Sequence, residues 1–194
     1  MRTALHATAL TTGALALAAT ALTGPAVAAS PQDRGPVRST LDTAFGTVVD
    51  GDVFVTLDGF ARPEASTGVA ELFVAGAECF RPEGGGFTFT ADPLRTAAMR
   101  GTAVLECYDV GADRASTATL TVELDWTATG EPTTSRAVSH RLGCRTTRTT
   151  VPAELTGTVR VEAAELGVDV LLPASADRPA ELATSEDACR PSRG

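Results

Sequence analysis

Between Ala115 and Trp126 the chain reads "ASTATLTVELDW". Ala118, Leu120, Val122, Leu124 and Trp126 fall on one side. Thr117, Thr119, Thr121, Glu123 and Asp125 fall on the other. A period of two makes a β-strand with one buried face, whereas helical spacing would scatter the same apolar residues around a cylinder. The alternation returns in Val53, Val55 and Leu57, in Phe87 and Phe89, in Ala103, Leu105 and Cys107, and in Gly157, Val159 and Val161. The runs "GVAELFVA" around Val69 and "GVDVLL" around Val168 read as further strands. Breakers separate them at Asp58-Gly59, Arg62-Pro63, Gly84-Gly85-Gly86, Gly111, Gly130 with Pro132, Pro152 and Pro173. Short alternating strands between frequent turns predict an all-β fold, an antiparallel two-sheet sandwich of immunoglobulin-like or related type. Its expected core contains Trp126, Leu120, Leu124, Val122, Val159, Phe73, Phe89 and Leu105.

Two stretches carry helix signals that compete with the strand reading. In "DPLRTAAMRG", Asp92–Gly101, an Asp precedes Pro and a Gly follows the run. The segment "RPAELATSEDAC" opens similarly at Pro179.

The first 29 residues change the picture. Arg2 is followed by an apolar run from about Thr8 to Leu22. A Gly24-Pro25 break and the small residues Ala26-Val27-Ala28-Ala29 come next. This is the pattern of a secretory signal peptide cleaved after Ala28 or Ala29. The run is too short for a membrane anchor, and no later segment is apolar enough to span. The expected organisation is a signal peptide over 1–29, a polar leader over 30–39, and one domain over 40–194. A secreted, extracellular protein is the expectation.

Such a compartment suits disulfides. Cys79, Cys107, Cys144 and Cys189 make an even set with no C-x-x-C spacing, so two structural bridges are expected. Three pairings exist. A meander brings Cys79 and Cys107 to one sheet edge, which favours Cys79–Cys107 with Cys144–Cys189.

The chain has 16 basic residues, all Arg, against 24 acids, a net charge of −8. Loss of the signal removes Arg2 and no acid, taking −8 to −9. That balance argues against a nucleic-acid partner. One stretch departs from it. "SRAVSHRLGCRTTRTT", Ser135–Thr150, holds Arg136, Arg141, Arg145, Arg148 and His140 with no acid. Strand parity puts Arg136 and His140 on one face and Ser139 with Arg141 on the other, and Arg145 and Arg148 are expected in the following loop. Such a cluster can bind an anionic polymer or protein through guanidinium–carboxylate or –phosphate bonds. The structural alternative pairs these arginines with Glu123, Asp125 and Glu162 on neighbouring strands.

Catalytic sets are thin. His140 is the one histidine after the signal, and Ser135 and Ser139 lie outside any G-x-S-x-G elbow. Glu123 with Asp125, or Glu71 and Glu106, are the candidate carboxylates for a hydrolase. Asp50-Gly51-Asp52 reads as a hairpin turn rather than a calcium loop. "EGGGF", Glu83–Phe87, lacks the Lys of a phosphate loop. No metal or cofactor is expected.

The motifs "TVELDWTATGE" (Thr121–Glu131), "CRTTRTT" (Cys144–Thr150) and "ELTGTVRVE" (Glu154–Glu162) resemble small secreted proteins of high-GC Gram-positive bacteria. That group has no known activity, so the resemblance implies export and assigns no catalytic residue. The chain departs from the subtilisin inhibitors in lacking their Cys-centred reactive site. It departs from the enediyne-binding apoproteins in lacking closely spaced cysteine pairs. The function expected first is a secreted, non-enzymatic binding module for an extracellular ligand. The alternatives are a hydrolase using sheet-face carboxylates, or a protease inhibitor with a loop near Arg81 or Arg114.

Overall fold

A computed structural model describes residues 37–81, 86–109, 111, 113–139, 143–175 and 178–189. Eleven strands follow in chain order: β1 Val37–Asp50, β2 Val53–Arg62, β3 Ala65–Val74, β4 Ala77–Phe80, β5 Thr88–Asp92, β6 Thr96–Asp109, β7 Arg114–Ala128, β8 Thr133–Ser139, β9 Cys144–Ala163, β10 Val168–Pro173 and β11 Ala180–Cys189. A 3-10 turn, Ala164–Leu166, links β9 to β10. The signal peptide expected over 1–29 lies outside the described residues. β1 begins at Val37, so the last residues of the expected leader are paired strand.

All pairings are antiparallel, and the neighbours run β9–β11–β1–β2–β3–β4–β6–β7 and return to β9. This ring of hydrogen bonds is not a barrel. Its narrowest link, between β3 and β4, is three residue pairs wide. The 20-residue β9 is the organising strand. Its first half, from Cys144 to Pro152, runs between β8 and β11, and its second half runs between β7 and β10.

Alternation becomes burial. On β7, Ala118, Leu120, Val122, Leu124 and Trp126 are all buried. Val55, Leu57, Leu72, Phe89, Met99, Leu105, Leu155, Val159 and Val161 join them in one core. Trp126 meets Phe89 edge to face, ring centroids 6.5 Å apart at 80°, a favourable arrangement for two aromatic quadrupoles. Tight approach is built into β2. A Cβ on Gly59 would sit 2.1 Å from the Phe89 ring, so only a glycine lets that ring lie against the strand. The Asp50-Gly51-Asp52 segment is the β1–β2 hairpin turn, with Asp50 opposite Val53 and Gly51 at φ 54.

One expectation is corrected, and two competing helix signals are overruled. Phe73 is not in the core: it is 40% exposed. Leu72 and Val74 point inward, opposite Val55 and Val53, and strand parity then turns Phe73 out. The run "LFVA" is apolar on both parities, so its own sequence leaves the face undecided. Asp92–Gly101 is no helix. The chain reverses where the Arg95 N–H donates to the Asp92 carbonyl at 3.0 Å, then enters β6 with Ala97 opposite Trp126 and Met99 opposite Leu124. Ala180–Cys189 is likewise a strand, with Leu182 buried opposite Val151. Pairing on both sides, with β5 and the long β7 in the first case and the long β1 and β9 in the second, outweighs the local capping signals.

Both bridges join residues directly opposite each other on neighbouring strands. Cys79 on β4 bonds Cys107 on β6, and Cys144 on β9 bonds Cys189 on β11. This is the pairing favoured from the topology.

Candidate functional site

Beyond the last apolar row of the ring, made by Ala44, Leu182 and Val151, the strands β1, β11, β9 and β8 continue as a four-stranded extension. Its inward parity turns polar. The first row past the core is Asp42, Thr184, Thr149 and Thr134. The Thr184 hydroxyl donates to Asp42 at 2.6 Å, and the Thr134 and Thr149 hydroxyls lie 3.1 Å apart. The next row is Thr40, Glu186, Thr147 and Arg136. The outermost is Arg38, Ala188, Arg145 and Val138, beside the Cys144–Cys189 bridge.

Three guanidinium groups therefore share one face. Arg38, Arg136 and Arg145 are all exposed, and among the described residues none is ion-paired. Glu186 shares the face without bonding them. A recess of about 290 Å³ lies between Arg38 and Arg145, bordered by Thr40, Thr147 and Glu186. Arg136 and Arg145 stand diagonally on adjacent strands in neighbouring rows, and Arg38 shares the row of Arg145 with Ala188 between them, a spacing that one extended anion can bridge.

Arg145 and Arg148 lie in strand β9, not in a loop as expected. The extension of β9 by pairing on both edges orders them. Their opposite parity separates them: Arg148 turns to the other face, where its Nη2 meets Glu181 Oε1 at 2.9 Å. Thr146 on that face donates to Asp187 at 2.5 Å. His140 and Arg141 lie outside the described residues. Arg38, which completes the face, was missed from the sequence because it stands far from the Ser135–Thr150 stretch. The one available signal was its position in "PVRST", a basic residue just before the alternating run of β1.

Two of the three acids offered as partners for this stretch, Asp125 and Glu162, are taken elsewhere. Arg100 Nη2 holds both oxygens of Asp125 at 2.6 Å, and Arg160 binds Glu162 at 2.8 Å and Asp169 at 2.9 Å. The same Arg100 pair bears on the hydrolase alternative. Both Asp125 oxygens accept from one guanidinium, while Glu123 stands opposite Thr158 on the exposed face. Glu71 and Glu106 lie on β3 and β6, on the outer face. Arg114, one of the positions considered for an inhibitory loop, is the first residue of β7 and pairs with Glu165 at 3.7 Å. Among the described residues no group of three or more His, Cys, Asp or Glu side chains could hold a metal ion. Described helices long and apolar enough to cross a membrane are also absent.

Asp58 on β2 is held above the ordinary carboxyl range, by partial burial first and by the nearby Glu71 charge second. The Tyr108 hydroxyl donates to Asp113, which together with slight desolvation holds the phenol above its usual value.

No protein-family model, curated protein or solved structure matches the chain.

Proposed function

We propose that this is a secreted, non-enzymatic binding module whose extension face, bearing Arg38, Arg136 and Arg145, takes a phosphate- or carboxylate-bearing extracellular polymer. The observation that carries the reading is the meeting of three exposed arginines, free of ion pairs to described residues, from three strands of an acidic chain. Fixed guanidinium forks suit repeated oxyanions, and threonine hydroxyls in the next rows add donors. Export is supported by the sequence of residues 1–29 and by two disulfides, which suit an oxidising compartment. We further take the ring to be flattened into the two facing layers of a sandwich. The reach of the Trp126 side chain on β7 to a carbonyl on β1 supports that shape.

The test is retention of the disulfide-intact protein on immobilised polyphosphate and polyglutamate across salt concentrations. Replacement of Arg136 and Arg145 by Ala should abolish salt-sensitive retention, and Arg148→Ala should leave it nearly intact. Equal loss from all three changes would reduce the effect to overall charge and remove the site.

A further inference from the structure

The outer face of β2, β3, β4 and β6 carries an unusual mixture. Phe54, Phe73, Phe80 and Tyr108 are 37%, 40%, 46% and 45% exposed there. Seven phenylalanines and one tyrosine make up nearly all the aromatic residues of the chain, and with Phe60, 37% exposed on the same parity of β2, five of those eight face water on this side. The strand register places them in order. One transverse row reads Phe54, Phe73, Glu78, Tyr108, Ala115. The row beside it holds the pair Thr56–Glu71 and the run Phe80, Glu106, Thr117.

From β3 through β4 to β6, aromatic and acidic side chains therefore alternate both along the strands and across them. Phe73 has Glu78 across the strand and Glu71 two residues back on its own face. Tyr108 has Glu78 across and Glu106 two residues back. Phe80 has Glu106 across and Glu78 two residues back. Cross-strand neighbours stand roughly 4.5–5.5 Å apart at Cβ, so each ring has carboxylates within one side chain's reach. Among the described residues, no arginine stands in either row. The Phe54 and Phe73 rings touch, with centroids 6.2 Å apart and planes tilted by 58°. They do not form the flat, coplanar platform on which a sugar ring would lie.

We propose that this checkerboard is a second binding surface, and that its occupant is an extended, arginine- or lysine-bearing polypeptide segment of another protein. A ring face attracts a cation through its quadrupole, and an adjacent carboxylate closes the pair with a hydrogen-bonded charge. Alternating rings and carboxylates at strand spacing match an extended chain whose every second side chain is cationic. The charge complementarity is one-sided: the face offers acids and rings, and the cation must come from outside. This surface lies on β2–β4 and β6, apart from the arginine face on β1, β8, β9 and β11, so the two readings stand or fall separately.

The probe is a synthetic peptide of alternating Arg and Thr, titrated into the full disulfide-bonded protein by calorimetry. A Gln-Thr peptide of equal length is the control. Binding of the Arg peptide alone is expected. Glu78→Gln with Glu106→Gln should weaken it by about tenfold, and Phe73→Ala with Phe80→Ala by about threefold per ring. These side chains are exposed, and an unchanged melting temperature shows that the variants fold. Equal affinity for both peptides, or an Arg-peptide affinity indifferent to both pairs of changes, overturns the proposal. Retention of an uncharged glycan that survives the Glu→Gln changes also overturns it. So does self-association that is lost on Arg136→Ala without any peptide binding, since that gives the face to a second copy.

Discussion

The indole nitrogen of Trp126, on β7, donates to the backbone carbonyl of Phe45, on β1, at 2.9 Å. The two strands are not neighbours in the hydrogen-bonded ring, so this bond crosses the core. Gly46 makes room for it: a Cβ there would meet Trp126 Nε1 at 3.1 Å and Leu155 Cδ2 at 3.0 Å. The fully buried Trp126 thus satisfies its one polar atom without reaching water.

Trp126→Phe keeps a ring in the core but removes that donor and part of the volume. The expected loss is about 2–3 kcal/mol, from the missing hydrogen bond and the void together. Urea unfolding followed by circular dichroism should show a lower midpoint with an unchanged slope. A midpoint within error of the parent would mean the bond contributes nothing.

Gly59→Ala drives a methyl group into the Phe89 ring. Overpacking of this kind costs about 1–3 kcal/mol. Phe89→Leu in the same chain should recover part of the cost, because the clash partner shrinks. A thermal-melt double-mutant cycle measures the coupling, and simple additivity of the two losses would contradict the contact.

The two disulfides should differ in what they protect. Replacing Cys79 and Cys107 with Ala opens a buried bridge in the ring and should cost about 2–4 kcal/mol. Replacing Cys144 and Cys189 frees the ends of β9 and β11, next to Arg38 and Arg145. That change should raise amide exchange in the extension and weaken retention on anionic polymer while the core stays protected. Uniform exchange across the chain would show that the extension is not a separable unit.

Asp58 should favour the folded state more in mild acid than at neutral pH. Its folded-state value is raised by burial and by Glu71, so its favourable contribution is present below the unfolded value near 3.8. That contribution is lost as pH rises through the folded value, where a half-buried charge must form. Asp58→Asn should raise the neutral-pH melting temperature by about 1–2 °C, a figure kept small because water still screens the group. It should also flatten the melting curve against pH just above 3.8. An Asn variant less stable at pH 7 would reverse the sign and reject the account.

Strand after strand was legible where apolar residues sit on one parity only, as on β7 and in Val53, Val55 and Leu57. Phe73 was not, because "LFVA" is apolar on both parities and its face was chosen by the register with Val53 and Val55. Asp92–Gly101 and Ala180–Cys189 carried helix caps that the long neighbours β7, β9 and β1 overrode. In the arginine stretch, composition exposed Arg136 and Arg145 and could not separate them from Arg148, which β9 turns to Glu181.

By itself, the sequence determined that this chain is built of antiparallel strands, which positions on each clear strand are buried, and that four cysteines close two bridges. Those are local or compositional properties: a period of two specifies a half-buried strand wherever it occurs. Tertiary structure decided which strands share a face. It set Arg38 in one row with Arg145 across β11, divided Arg148 from its neighbours, and aligned Phe73, Glu78 and Tyr108 in one row. The reason is register. A slip of one residue exchanges the two faces of a strand, and pairing between segments distant in sequence, not either segment's own pattern, selects the register.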